Sequence, residues 1–136
     1  MHVQEMISTH PRVKGNTNDA LLDCVEQCYD CSQTCTACAD ACLGEPSVAE
    51  LTQCIRLNLD CADVCAVTGA LASRRTGSND QVLARQIEAC ALACRLCADE
   101  CARHADQHEH CQICAEACEQ CFEACQDAAA SIGQPH

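Results

Sequence analysis

Residues 24–42 read CVEQCYDCSQTCTACADAC, a stretch in which six cysteines follow one another at intervals of four and three residues. Residues with this spacing lie on one face of an α-helix, where a bundle helix normally carries leucine or another apolar side chain. Residues 90–101 and 111–125 repeat the pattern, and residues 54–65 carry a sparser version of it. The pattern therefore predicts four helices that each direct a stripe of thiols toward a shared core.

Turn and capping residues separate the four stripes. Thr17, Asn18 and Asp19 all cap helix N-termini and precede the first stripe, which Gly44 closes. Residues 47–50 match a capping box, so the second helix is predicted to start there and to extend to about residue 75. The third helix is predicted to begin at residue 78 or 79, with residues 106–108 as the turn into the fourth.

These signals predict one domain with an all-α fold. Short connections place consecutive helices antiparallel, which gives an antiparallel up-down-up-down four-helix bundle with a cysteine-lined core. We assign residues 1–16 to a short N-terminal helix or arm broken at Pro11, residues 17–133 to the bundle domain and residues 134–136 to a tail.

The composition limits the partners and the compartment. The chain has 136 residues and a formal net charge of −12, which opposes contact with a phosphate backbone and excludes nucleic acid as a partner. No segment is long and apolar enough for a membrane span, and residues 1–15 lack the basic start and apolar run of a secretory signal. We therefore expect a protein of the reducing cytoplasm without a membrane partner, in which cysteines serve as metal ligands or redox groups.

The stripes also give the bundle a direction. Antiparallel order brings apolar side chains together at one end, here named the closed end, which comprises Leu21, Ala72, Leu83, Ile87 and Ile132. The opposite end, here named the histidine end, is expected to gather Cys42, Cys54, Cys101, His104, His108, His110 and Cys111. We expect the closed end to be a dry apolar plug and the histidine end to be the opening.

The second predicted helix carries a further apolar face, away from its cysteines. This face consists of Ile55, Leu59, Ala62 and Ala66. An apolar face of this kind needs cover, and self-association is the simplest source of it.

The cysteine stripes bring many soft donors close together. Two cysteines three or four residues apart on a helix have neighbouring sulfurs, and facing helices add more at the same depth. Thiolates favour Cu(I), for which two or three sulfurs suffice, whereas zinc takes four ligands in a discrete closed site. Iron–sulfur clusters are disfavoured because the loop motif C-x2-C-x2-C-x3-C-P is absent.

Charge balance predicts the capacity of such a core. Buried thiolates repel one another, so the thiols are expected to stay protonated until a metal replaces each proton. One Cu(I) per thiolate leaves the interior nearly neutral, and we therefore predict storage of on the order of 18 Cu(I) ions per chain. The candidate ligands are Cys24, Cys28, Cys31, Cys35, Cys38, Cys42, Cys54, Cys61, Cys65, Cys90, Cys94, Cys97, Cys101, Cys111, Cys114, Cys118, Cys121 and Cys125.

Four further residues extend the candidate metal site. His104 and His108 are four residues apart and continue the third cysteine stripe, so both are candidate ligands at the histidine end. His110 adjoins the fourth stripe and is a candidate for the same reason, the alternative for all three being a solvated histidine at a helix end. Asn58 occupies a stripe position where cysteine would fit, as either a carbonyl-oxygen ligand or a polar plug bonded to water or backbone.

Two other functions stay open beside Cu(I) storage. A metallothionein-like buffer would hold zinc or another soft metal with the same thiols. A thiol redox protein would need a C-x-x-C at the start of a helix after a strand, and no such element is predicted. A disulfide framework and an inert thiol core are disfavoured, because the compartment is reducing and leucine would stabilise a core better. We predict a store without enzymatic activity that copper enters at the histidine end.

The chain resembles the bacterial cytosolic copper storage proteins. The resemblance rests on the segments CVEQCYDCSQTCTACADACLG, CIRLNLDCADVC, EACALACRLCADECARHADQHEHC and CQICAEACEQCFEAC, which together extend over nearly the whole sequence. It implies a homotetramer of four-helix bundles that each store many Cu(I) ions, and peripheral copper sites that involve His104, His110 and Asn58. A Cu(I) chaperone or glutathione is the expected donor of the copper.

Overall fold

The computed structural model describes residues 2–132, and within them the chain forms five α-helices and no β-strand. A short first helix precedes four long ones. Their bounds are Val3–Ser8 (α1), Asp19–Leu43 (α2), Thr52–Ser73 (α3), Asp80–His104 (α4) and Glu109–Ile132 (α5). The predicted all-α four-helix bundle is confirmed, while the predicted tail at residues 134–136 lies outside the described residues.

The four long helices pack in chain order around one core. Helix α2 contacts α3 and α5, and α4 contacts the same two helices, as expected when consecutive helices run antiparallel. Helix α2 begins as predicted, because the side chain of Asn18 accepts a hydrogen bond from the backbone N–H of Leu21 at 3.1 Å. The turn predicted at residues 106–108 lies between α4 and α5.

The capping box predicted at residues 47–50 is wrong. A 3-10 turn occupies Val48–Leu51, and α3 starts only at Thr52. Ser47 has φ −91° and ψ 25°, away from the extended conformation of an N-cap, and its side chain forms no capping bond. Asn79 precedes α4 as predicted but also makes no side-chain cap, and α3 ends at Ser73 because Arg74 is extended.

The core of the bundle is made of thiols and small side chains. All eighteen cysteines are buried and free of disulfide bonds. Larger apolar side chains with no more than 1% exposure are confined to Val25, Leu51 and Ile87 among the described residues. The helices therefore approach one another over sulfur-sized side chains, with bulkier residues toward the ends of the stripes.

The two aromatic residues of the long helices are packing residues. Gly69 of α3 lies against the Tyr29 ring, where an added Cβ would be 3.0 Å from Cζ, so the glycine permits this close approach. The ring of Phe122 is covered by the guanidinium of Arg95, whose Cζ lies 4.2 Å from the ring centroid.

The closed end is only partly the dry apolar plug that we expected. Leu21, Ala72 and Ile87 are buried there, whereas Leu83 and Ile132 are only partly buried. A cavity of about 260 Å³ lies between Leu21, Leu83, Ile132 and the loop of residues 74–80. Polar side chains also reach this region, since the hydroxyl of Thr68 donates to the Val64 carbonyl and accepts from Gln86.

Helix α1 covers one flank of the bundle. Ile7 is buried against the core, and the imidazole of His10 lies 3.2 Å from the Thr76 hydroxyl, so the last turn of α1 and the residues after it contact the rest of the chain. The helix ends before Pro11, as predicted. No helix among the described residues has the length and hydropathy needed to cross a membrane.

The apolar back face predicted for the second long helix is half covered within the chain. Ala62 is buried, and Ile55 packs against the core, because α2 lies over this side of α3. The Ser32 hydroxyl of α2 donates to the Ala62 carbonyl at 2.8 Å, which holds the two helices together there. Leu59 and Ala66 stay exposed as predicted, so only part of this face is left without cover.

Ile87 tests how much the closed end contributes to stability. Replacing this buried side chain in Ile87→Ala should lower the free energy of unfolding of the metal-free, reduced protein by about 2–5 kcal/mol, because it leaves a cavity. Urea unfolding followed by circular dichroism measures the change and shows whether the metal-free protein is helical. The control Val82→Ala, at a side chain that is 49% exposed, should change stability by less than about 0.5 kcal/mol. Equal effects of the two substitutions would contradict this role of Ile87.

Candidate metal centre

Twelve of the cysteines form one connected group in the inner part of the bundle, here named the inner column. Each of these sulfurs lies 3.5–4.0 Å from at least one other member. The members are Cys24, Cys28, Cys31, Cys35, Cys61, Cys65, Cys90, Cys94, Cys114, Cys118, Cys121 and Cys125. The periodic stripes produce this column because each of the four long helices turns its cysteine-bearing face toward the core.

Sulfurs of the inner column gather in fours that share members. Cys31, Cys65, Cys94 and Cys121 come from four different helices, and their sulfurs lie within 4.8 Å of one another. Cys31 also belongs to a second group of four, with Cys35, Cys61 and Cys118. A set of closed tetrahedral sites needs its own four ligands for each ion. The shared sulfurs instead suit ions of low coordination number that bridge neighbouring donors.

Asn58 lies next to the inner column and is fully buried among thiols. Its side-chain oxygen accepts from the thiols of Cys97 at 3.1 Å and Cys114 at 3.0 Å. Its amide nitrogen donates to the sulfur of Cys54 at 3.5 Å, and Cys54 in turn lies 3.7 Å from Cys101. The partners are thiols, whereas we expected a polar plug to bond to water or backbone. The amide thus forms hydrogen bonds with thiols, and its oxygen lies within contact distance of several candidate ligands.

The three remaining cysteines surround one imidazole at the histidine end. The sulfurs of Cys38, Cys42 and Cys111 and a ring nitrogen of His110 lie within 4.8 Å of one another, and we name this group the histidine cluster. The Nδ1 atom of His110 is 3.4 Å from the Cys38 sulfur and 3.6 Å from the Cys111 sulfur. Of the three candidate histidines, His110 is the one in direct contact with thiols.

The proposed stripe of His104 and His108 does not form. Helix α4 ends at His104, so His108 lies in the following turn and no longer keeps the helical spacing. His104 Nε2 lies 3.0 Å from a carboxylate oxygen of Glu100. His108 instead stacks on the ring of His110, with centroids 5.4 Å apart. The difference arises because the helical geometry ends at this turn, and the periodicity of the sequence alone does not indicate where a helix ends.

Glu45 is a residue of the histidine end that the sequence reasoning missed. It follows the end of α2, and its Oε2 lies 2.8 Å from Nε2 of His110 at the start of α5 and 3.1 Å from Nδ1 of His108 in the turn before it. Hydrogen bonding from His110 lowers the pKa of the Glu45 carboxyl, so it is ionised at neutral pH. The one available signal was its place in a loop at the same end as the histidines.

Burial keeps several thiols protonated. It raises the pKa of Cys42 to about 11 and that of Cys111 to about 12. In the inner column, the contact with Cys121 raises the pKa of the Cys94 thiol above its usual range, and burial acts in the same direction. A metal ion that binds these sulfurs must therefore displace their protons.

Comparison with known proteins identifies the family. Residues 17–130 match the family model described as copper storage protein. A copper storage protein from Streptomyces lividans, in a structure loaded with 10 copper equivalents, superposes with a TM-score of 0.90 at 52% identity and covers 94% of this chain and 98% of its own. The Cu(I)-bound copper storage protein BsCsp3 of Bacillus subtilis gives a TM-score of 0.68 at 37% identity over 78% of this chain and 94% of its own.

A curated relative from Bacillus subtilis (strain 168) agrees with these matches. This uncharacterized cysteine-rich protein, YhjQ, is 39% identical over 92 residues, which cover 68% of this chain and 80% of the relative. The family model extends over more than half of the chain and includes all eighteen cysteines of the bundle. The chain therefore belongs to the copper storage protein family.

Proposed function

We propose that this protein stores and sequesters many Cu(I) ions in the cytoplasm, bound by the thiolates that line its core. The observation that carries the proposal is the inner column, in which sulfurs from all four long helices form overlapping groups. Cu(I) prefers soft thiolate donors, and two or three of them complete its coordination. A sulfur that belongs to two of these groups can then bridge two ions.

The rival zinc buffer fits the same sulfurs less well. A discrete zinc site takes four ligands in a closed tetrahedral arrangement, and two neighbouring groups that share Cys31 or Cys121 do not supply four separate ligands to each of two ions. The charge of the filled core also distinguishes Cu(I) from zinc. Replacing one proton by one Cu(I) leaves the charge of the buried core unchanged, whereas a divalent ion at the same density adds a positive charge per site.

We assign the ligands by region. The inner column supplies thiolates to the largest number of ions, and the histidine cluster supplies Cys38, Cys42, Cys111 and His110 to ions near the opening. Between them, Cys54, Cys97 and Cys101 bind copper beside the carbonyl oxygen of Asn58. His104 and His108 complete the set at the histidine end, where each is partly exposed. The predicted ratio is about one Cu(I) per cysteine, on the order of 18 per chain.

Copper enters at the histidine end and moves inward by exchange between neighbouring sulfurs. Successive sulfurs of the inner column are no more than 4.0 Å apart, so an ion can gain a new ligand before it releases the previous one. A Cu(I) chaperone or glutathione delivers the ion, since both present it on thiolates that exchange with Cys42 or Cys111. The protein binds copper without acting as an enzyme.

A thiol redox function has less support. A reactive cysteine is exposed and sits in an electropositive surrounding, commonly at a helix N-terminus, where its thiolate is favoured. Every cysteine here is at most 2% exposed, and burial raises the pKa of Cys42 and Cys111 near the opening. This environment opposes catalytic thiol exchange while still permitting a bound Cu(I) to replace the proton.

We further propose one storage domain at residues 17–133, preceded by an arm at residues 1–16, and assembly into a homotetramer. Support for assembly comes from exposed apolar side chains on the adjacent helices α3 and α4. Leu59 is 46% exposed and Leu96 is 48% exposed. The contact between Asn58 and Cys97 places these two leucines at similar depth along the bundle. Association of several copies would remove this surface from water.

Anaerobic titration of the reduced protein tests the storage function. With a chromophoric chelator as competitor, Cu(I) should be taken up until on the order of 18 ions are bound per chain. Zinc added beforehand should be displaced by Cu(I), because thiolates prefer the softer ion. Saturation at four or five zinc ions that resist Cu(I) would instead favour the metallothionein-like buffer.

Alkaline pH should destabilise the metal-free protein. The pKa of Cys42 is about 11 and that of Cys111 about 12 in the folded state, against about 9 when unfolded, so folding favours the protonated thiol. The contribution of these two thiols to the free energy of unfolding is fully present below pH 9 and is lost as the pH rises toward 11–12. The melting temperature of the metal-free, reduced protein should therefore fall between pH 8.5 and 10.5.

The Cu(I)-loaded protein is the control for this pH dependence. Its thiolates carry copper in place of protons, so its melting temperature should fall less over the same range. Groups other than the thiols are present in both forms and cancel in the comparison. A parallel decrease in the two forms would show that the thiols are not the cause.

The oligomeric state tests the assembly proposal. In sedimentation equilibrium, the wild-type protein should have about four times the mass of one chain, and the double variant Leu59→Glu, Leu96→Glu should be smaller, because buried charge opposes association. Val82→Glu is a matched control, since Val82 is 49% exposed but lies near the start of α4. A monomeric wild-type protein would refute the homotetramer.

A further inference from the structure

One carboxylate oxygen faces both imidazoles of the histidine end. Glu45 Oε2 lies 2.8 Å from Nε2 of His110 and 3.1 Å from Nδ1 of His108. An ionised carboxylate only accepts hydrogen bonds, so each of these two nitrogens is favoured to carry a proton. The same oxygen therefore selects the Nε2–H tautomer of His110 and the Nδ1–H tautomer of His108.

The opposite nitrogen of each ring then carries a lone pair and no proton. Nδ1 of His110 lies 3.4 Å from the Cys38 sulfur and 3.6 Å from the Cys111 sulfur, inside the histidine cluster. Nε2 of His108 is buried and has no hydrogen-bonding partner among the described residues. A metal ion binds an imidazole through a nitrogen without a proton, so Glu45 leaves a ligand atom available on both rings.

The three side chains also restrain one another. The rings of His108 and His110 are stacked, with centroids 5.4 Å apart and planes inclined by 20°. The side chain of His108 is 11% exposed and that of Glu45 is 27% exposed, so this contact is sheltered from water. Neither ring can turn over without breaking its contact with Glu45 or with the other ring.

We infer that Glu45 is a positioning residue, which sets the tautomer and orientation of His108 and His110 so that both present a nitrogen lone pair to incoming Cu(I). The inference rests on the proposed storage function. A carboxylate that receives the second N–H of a metal-binding histidine commonly orients the ring and raises its basicity, and its loss weakens metal binding or activity by about 10–100-fold. Glu45 does this for two histidines with one oxygen.

The first experiment observes the tautomers directly. Long-range proton–nitrogen NMR spectra of ¹⁵N-histidine-labelled, metal-free protein should show His110 protonated at Nε2 and His108 protonated at Nδ1. In Glu45→Gln the side chain keeps its shape, but its amide both donates and accepts, so at least one ring should shift toward the other tautomer. Unchanged tautomers in this variant would overturn the inference.

The second experiment measures copper entry. Stopped-flow transfer of Cu(I) from its complex with bathocuproine disulfonate should be about 10-fold to 100-fold slower in Glu45→Gln, while the final copper capacity stays at the wild-type value. The control Glu50→Gln removes the same charge from an exposed residue near the same end and should transfer at the wild-type rate. Equal rates in Glu45→Gln and the wild type would overturn the inference.

A double-mutant cycle separates positioning from a general effect of charge. In a variant with His108→Ala and His110→Ala, adding Glu45→Gln should cause no further slowing, because the groups through which Glu45 acts are gone. An additional decrease of the same size as in the wild type would overturn the inference. A wild-type protein that binds only a few Cu(I) ions would overturn the storage function, and the tautomer spectra would still decide the role of Glu45.

Discussion

The structure depends on one electrostatic constraint, the cost of charge in a buried thiol core. All eighteen cysteines are at most 2% exposed, and a thiolate so removed from water is unstable without a compensating cation. Each sulfur must therefore carry either a proton or a monovalent metal ion. The raised pKa values of Cys42 and Cys111 show that burial favours the protonated thiol. The second state, with Cu(I) in place of the proton, has the same charge, so the bundle can fill without an electrostatic penalty that grows with each ion.

Small side chains make this interior possible. Cysteine and alanine bury little apolar surface each, so a bundle with this core depends on its few larger residues. These lie toward the ends of the cysteine stripes, with Ile87 toward the closed end and Leu51 next to the start of α3. The helices are thereby held from their ends, while the sulfurs between them stay 3.5–4.0 Å apart, at contact distance and without disulfide bonds. A leucine core would be more stable but could not bind a metal.

Periodicity predicted the parts of the molecule that are helical. The four stripes, their inward direction and the two unlike ends follow from the spacing of cysteines, because a side chain's direction on a helix depends only on its position. The same rule failed where the helix ends. His108 was placed on the stripe of α4, but the helix stops at His104, and His108 packs on His110 instead. Glu45 was missed because a loop residue reaches its partners through turn geometry, which no periodic pattern encodes. Asn58 was located correctly, yet its thiol partners follow from packing and not from its own position.

Asn58 shows how a neutral residue fits the charge constraint. It stands in a stripe position between the inner column and the histidine cluster, and it hydrogen bonds to thiols of Cys97 and Cys114. A cysteine at this position would require one more proton or cation, whereas an amide is neutral in every state of filling. Under the proposed ligand assignment, Cu(I) replaces the thiol protons, and the Asn58 oxygen then has lone pairs available to the ions. The amide thus pairs with thiols in the metal-free core, and the proposed assignment gives it the role of an uncharged oxygen ligand in the filled one. The cysteine stripe of α3 can therefore be interrupted by Asn58 without leaving a buried polar group unpaired in the metal-free protein.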